Sequence, residues 1–241
     1  MILDIIKKHI ESGKIYKIVF FGDSITSTEW VHPNWREIVE YVVKEEVKKL
    51  IDDWKLPSWN IRCINSGLDG STSADWLDKV DEYVLSYKPN LAISIFGGND
   101  TLFNISSKDH GDNLQKLFEL MSGGADKYYF CTTTPYLNSN KNIEYQPFLE
   151  AEKDLILKEN VKFVELFNLY LDFPLKRIFT FIEEEGNPEA GIKPGGLDWG
   201  HPNQLGNAYI AKVQLKEIFG IEFDPEQYMK DTLAGKKSPG Y

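Results

Sequence analysis

A serine hydroxyl just past the end of an apolar run is a candidate nucleophile. It attacks an acyl carbon only where a base takes its proton and an acid orients that base. Ser24 stands in such a place, in "FFGDSITSTEW" at residues 20–30. The same stretch also fits a helix start, because Ser and Asp readily cap helices. The bases on offer are His9, His32, His110 and His201. His9 falls in an amphipathic N-terminal helix and His110 in a polar stretch ahead of another helix, which predicts exposed or capping roles for both. The remaining two occupy matching contexts, Glu29-Trp30-Val31-His32-Pro33-Asn34 and Asp198-Trp199-Gly200-His201-Pro202-Asn203. Each histidine has a carboxylate three residues ahead and a proline suited to open the next helix. His32 shares the loop of Ser24, whereas His201 arrives on a separate segment and can approach across a pocket. Gly200 also allows the tight backbone path that lets Asp198 reach back to the imidazole, while Val31 is stiffer. This favours His201 with Asp198.

Other chemistries lack their signatures. Gly22-Asp23-Ser24-Ile25-Thr26 has no second glycine for a G-x-S-x-G elbow, and the chain holds no phosphate loop, G-x-G-x-x-G or H-E-x-x-H. His201 and Asp198 alone do not make a metal site, so no metal and no cofactor are expected. Cys63 and Cys131 lie apart in apolar stretches and read as buried free thiols.

These residues need a frame that holds distant segments together. Apolar, β-rich runs at 14–22, 59–67, 90–98, 127–135 and 161–167 alternate with stretches of helical periodicity. Examples are Trp35, Ile38, Val39, Val42, Val43 and Val47, then Trp76, Val80, Tyr83, Val84 and Tyr87. Strands separated by helices predict a parallel sheet covered on both faces. Ligands of such sheets bind beyond the carboxyl ends of the strands, which points to the loops 22–34, 66–73, 97–104 and 132–141. The third of these contains Gly97-Gly98-Asn99-Asp100, which fits an ordinary turn as well as a site. Residues 1–225 read as one domain, with 171–200 as a candidate lid or insertion and 226–241 as a loose tail.

The net charge of -10, from 27 Lys and Arg against 37 Asp and Glu, repels phosphate backbones and anionic membrane surfaces. Neither nucleic acid nor membrane is therefore expected as a partner. "MILDIIKKHIESG" is interrupted by Asp4, Lys7 and Lys8, leaving no apolar core for a signal peptide. A cytoplasmic location is expected, and the oligomeric state is left open.

Gly22-Asp23-Ser24 after the first strand, Gly67 after the second, Gly98-Asn99-Asp100 after the third and Asp198-x-x-His201 near the C-terminus, in that order, resemble the SGNH/GDSL hydrolases. The resemblance spans residues 18 to about 207. It implies a flavodoxin-like, three-layer α/β/α sandwich on a five-stranded parallel sheet, and ester hydrolysis by a triad. Carried across, Ser24 is the nucleophile, His201 the base and Asp198 its orienting acid. The Ser24 and Gly67 backbone N–H groups and the Asn99 side-chain amide form the oxyanion hole. Gly70 competes with Gly67 for that place, and Gly67 is preferred because it ends its strand. Asp23, Trp30, His32, Tyr136 and Trp199 are the candidate substrate contacts. The expected substrate is a small acyl ester, acetylated carbohydrate among the candidates. The alternatives are a short-chain lipase or thioesterase and, outside catalysis, a ligand-binding protein of the same fold.

Overall fold

Central strands covered on both faces must be nearly apolar throughout, which is why the runs of β1 (Tyr16–Gly22) and β3 (Leu91–Ile95) become strands, while the two edge strands, β2 (Ile61–Gly67) and β5 (Val161–Val164), leave Arg62, Asn65 and Lys162 exposed. The structure, a computed structural model, describes residues 1–27 and 31–241. The strands are β1 (Tyr16–Gly22), β2 (Ile61–Gly67), β3 (Leu91–Ile95), β4 (Tyr128–Cys131) and β5 (Val161–Val164). They pair in parallel in the order β2-β1-β3-β4-β5. This is the flavodoxin-like order, with its topological switch between β1 and β3.

Alternation along β1 divides the core in two. Ile18 and Phe20 join α1 (Ile2–Glu11), α2 (Trp35–Ile51) and α10 (Gln204–Gln214) on one side. Val19 and Phe21 join α4 (Ser73–Tyr83) and α6 (Ser107–Gly124) on the other. Large rings fill both layers, Phe20 edge-on to Trp35 at 5.2 Å and Phe21 against Trp76 at 4.9 Å. The three-layer α/β/α sandwich is thus the observed architecture. Among the described residues no helix is long and apolar enough to cross a membrane.

Register brings the loops together. Gly22 lies opposite Gly67 on one side and Ile95 on the other, so β1, β2 and β3 end level at one edge. The loop after β3 enters the short helix α5 (Gly98–Leu102), and the loop after β4 precedes α7 (Ser139–Lys153).

Two expectations are corrected here. His110 is neither exposed nor a cap: it is fully buried within α6, with Asp100 Oδ2 at 2.7 Å from Nδ1 and Glu152 Oε1 at 3.1 Å from Nε2. Burial alone lowers an imidazole's proton affinity, but the two carboxylates outweigh it and hold His110 up at about 9. Protonated His110 therefore stabilises the fold below the ordinary imidazole range and up to neutrality, and that contribution is lost as pH rises through about 9. His110→Ala leaves two buried carboxylates without their cation and is expected to cost about 3–5 kcal/mol in urea unfolding. Its unfolding midpoint is also expected to lose the wild-type decline on the alkaline side.

The segment 226–241 is not a loose tail. Most of its first half lies in α11 (Pro225–Leu233), N-capped by Asp224. Beyond it, Gly240 N–H donates to Asp231 Oδ2 at 2.9 Å and the Tyr241 hydroxyl to Glu46 Oε1 at 2.7 Å, on α2. The neighbouring residues are tied down as well, Lys236 Nζ to Asp231 Oδ1 at 2.7 Å and the Pro239 carbonyl accepting the Tyr41 hydroxyl at 3.0 Å. The segment 171–200 holds the short helix α9 (Leu175–Ile178) and a hairpin, β6 (Ile182–Glu183) against β7 (Gly196–Leu197), whose return strand runs directly into Asp198.

Candidate active site

Gly22 carries the chain off the sheet at φ 147, where an added Cβ would strike the Ile95 carbonyl. A tight turn follows, with Asp23 Oδ1 accepting the Ile25 N–H at 3.0 Å and the Asp23 carbonyl accepting the Thr26 N–H at 3.0 Å. Ser24 sits in this turn and is not a helix cap, since α2 begins only at Trp35 and Asn34 caps it, accepting from Arg36 N at 3.2 Å. The start of α2 clamps the turn: Asn34 Nδ2 and Trp35 Nε1 both donate to the Ile25 carbonyl at 3.1 Å, and Arg36 Nε to the Thr26 carbonyl at 2.9 Å. Sequence reasoning passed over these supports because they resemble ordinary cap and core residues.

His201 and Asp198 arrive from the hairpin. Asp198 N–H donates to the Phe181 carbonyl at 2.9 Å, fixing the end of β7. Asp198 Oδ1 accepts the Gly200 and His201 backbone N–H groups at 2.8 and 3.0 Å, which leaves Oδ2 to face His201 Nδ1 at 2.6 Å. The other ring nitrogen, Nε2, lies 2.8 Å from Ser24 Oγ. An ionised carboxylate only accepts, which assigns the imidazole proton to Nδ1 and leaves Nε2 to accept from the serine. Asn207 joins the two halves of the site, its Oδ1 accepting Trp35 N–H at 3.0 Å and its Nδ2 donating to the Pro202 carbonyl at 2.9 Å.

The electrostatics follow from this line. Burial works against a charged His201, yet its hydrogen bond to Asp198 and the Asp198 charge outweigh it, so its proton affinity is raised. Burial likewise opposes the Asp198 charge, and the bond to His201 overrides it and holds the carboxyl below its ordinary value. Glu183 is raised, first by burial and then by the Asp198 charge beside it. Ligand atoms of Glu183, Asp198 and His201 lie within 4.8 Å of one another, the one such cluster among the described residues. Both imidazole nitrogens there are already directed at Asp198 and Ser24.

These groups face a cleft of about 380 Å³, which Asp23, Ser24, Asn99, Tyr136, Trp199 and His201 help to line. Asn99 Nδ2 donates one hydrogen to the Ser71 carbonyl at 3.0 Å and keeps a second in reserve. Gly67 is not at the cleft. Its N–H donates to Asn65 Oδ1 at 2.9 Å, and its Cα packs under the Ser27 backbone, leaving no room for a side chain. Gly70, three residues on, lines the cleft at φ 70. Among the described residues neither the Gly70 nor the Ser24 N–H donates to a protein acceptor. Strand ends predicted Gly67, but the asparagine two residues ahead occupies that amide and the loop turns inward only at Gly70.

Tyr136 and Trp199 meet edge to face at 5.1 Å, and Leu137 N–H donates to the Trp199 carbonyl at 3.0 Å, tying the loop after β4 to the histidine segment. His32 does not line the cleft; its largely exposed ring lies 3.5 Å from Glu37. Trp30 lies outside the described residues. The turn of the β6–β7 hairpin supplies a wall that sequence reasoning did not resolve, through Asn187, Glu189 and Ile192. The candidate lid or insertion is, in this structure, a side of the cleft.

Solved structures of similar fold include Axe2, an acetylxylan esterase from Geobacillus stearothermophilus, at 19% identity and TM-score 0.57 over 87% of this chain and 96% of that one. A lipase/acylhydrolase from Enterococcus faecalis is 21% identical, with TM-score 0.62 over 88% of this chain and all of its own. Structures of catalytic mutants of Axe2 carry alanine in place of a serine, a histidine or an aspartate. No curated protein matches the sequence. The model of the GDSL-like lipase/acylhydrolase family matches residues 20–209, and the chain belongs to that family.

Proposed function

We propose that this protein is a serine esterase that removes a small acyl group, acetyl from a carbohydrate being the foremost candidate. The observation that carries the reading is the hydrogen-bonded line from Ser24 Oγ through His201 to Asp198, open to a cleft. Ser24 Oγ attacks the ester carbonyl carbon as its proton passes to His201 Nε2. The ester C–O bond then breaks while His201 returns that proton to the leaving alkoxide. Water repeats the cycle on the acyl-enzyme and frees the acid. Asp198 keeps the imidazole in the Nδ1–H tautomer and stabilises its charged form.

Negative charge develops on the former carbonyl oxygen, and prearranged neutral donors lower its energy. The role given to Gly67 passes in this reading to Gly70, beside the Ser24 N–H and the second Asn99 hydrogen. Half-buried Trp199, with the buried Tyr136 ring packed edge-on against it, offers ring surface on which a sugar can stack, in keeping with the fold shared with an acetylxylan esterase. Turnover of p-nitrophenyl acetate, with the Ser24→Ala protein as control, tests the reading; equal rates contradict it and favour a binding protein. Asn99→Ala is expected to lower kcat about 100- to 1,000-fold with little change in KM, because the lost bond belongs to the transition state. Steady-state kinetics on the same ester checks this.

A further inference from the structure

The cleft is one-sided in charge. Carboxyl groups of Asp23, Asp69, Glu189 and Asp198 line it, and among the described lining residues the only basic side chain is His201, which is committed to Asp198. Asp23 is the most telling of them. It is 3% exposed, its Oδ1 takes the Ile25 N–H, and its Oδ2 has no protein hydrogen-bond partner among the described residues. Burial pushes this carboxyl up to about 7, and the nearby Asp100 and Asp69 charges add to the rise while His201 only partly offsets it. A buried carboxylate without a cation is costly, and a cation brought by a ligand removes that cost. Asp69 engages the Ser27 hydroxyl at 2.5 Å and Glu189 stands exposed on the hairpin turn, so neither is neutralised by a lysine or arginine at the cleft. The acidic run of the hairpin, Glu183 to Glu185, lies on the same segment.

We infer that the cleft selects its ester by charge: it favours a substrate bearing a positive group beside the scissile ester, accepts neutral ones and turns away anionic ones, acyl thioesters of phosphorylated carriers included. This rests on the esterase reading above and narrows its substrate class. Unpaired charges several ångströms apart near a protein surface interact strongly enough to matter at low salt and are screened as salt rises.

The test compares kcat/KM for three acetate esters of matched shape. One is acetylcholine, one its neutral isostere with tert-butyl in place of trimethylammonium, and one an analogue ending in a carboxylate. The expected order is cationic, neutral, anionic, with about a tenfold gap between the ends at low ionic strength that shrinks in high salt. Glu189→Gln and Asp23→Asn are each expected to narrow the cationic-to-anionic ratio. Should Asp23→Asn fail to fold, the exposed Glu189 position carries the comparison. Equal rates, or preference for the anionic ester with the neutral one turned over, overturn the charge inference alone. Loss of turnover on all three esters overturns the esterase reading and this inference with it.

Discussion

Ser24→Ala is expected to reduce p-nitrophenyl acetate turnover about ten-thousand- to million-fold, the range seen when a triad nucleophile is removed. The size of the effect follows from geometry. The Ser24 hydroxyl lies 2.8 Å from His201 Nε2 and faces the cleft, so on the esterase reading it is the group placed to receive general-base assistance. On that reading, water acting through His201 and aided by the oxyanion donors then sets the residual rate. The variant removes a single oxygen from a turn held by Asp23, Asn34, Trp35 and Arg36 through other atoms, and unfolding in urea should change little. Kinetics and unfolding on the same preparation separate lost chemistry from lost structure.

Asp198→Asn is expected to lower kcat about ten-thousand-fold, since the amide presents an N–H where the imidazole needs an acceptor and favours the wrong tautomer. It also predicts a change in pH dependence with a definite sign. His201 must be neutral to accept the serine proton. In the wild type the Asp198 hydrogen bond and charge raise its proton affinity, so kcat/KM falls on acidification from above the ordinary imidazole range. Without the carboxylate charge that limb moves to lower pH. A pH profile of kcat/KM for both proteins measures it, and an unmoved limb would mean that a different group is being titrated.

Much of this arrangement was legible in the residues. The central strands are legible because parallel strands buried on both faces are apolar along nearly their whole length, as in "KIYKIVFFG" and "NLAISIFGG". Ser24, Asn99, Asp198 and His201, which the structure brings to one cleft, stand out in the sequence because two lie just beyond strand ends and two sit in a compact D-x-x-H whose backbone geometry is local. What escaped depended on contacts between remote segments. His110 reads as surface because Lys108, Asp109 and Asp112 surround it, yet its partners come from Asp100 and from Glu152, 42 residues away. The exchange of Gly67 for Gly70 turned on one side chain, Asn65, folding back on the next-but-one amide. His32 matched His201 in sequence context but lacks the hairpin that delivers Asp198 and His201 into the cleft, and it stays beside Glu37 at the surface. The hairpin wall was hidden for the same reason, since Gly- and Pro-rich stretches reveal that a chain turns without revealing what it turns toward.

The most direct test is to treat the protein with a fluorophosphonate, which phosphonylates an activated serine irreversibly with loss of fluoride, and to locate the adduct by peptide mass spectrometry. A single stoichiometric adduct on Ser24 is expected, formed in step with loss of esterase activity and absent from Asp198→Asn on the same timescale. Full inactivation with the label on another residue, or undiminished ester hydrolysis after Ser24 is labelled, would contradict it.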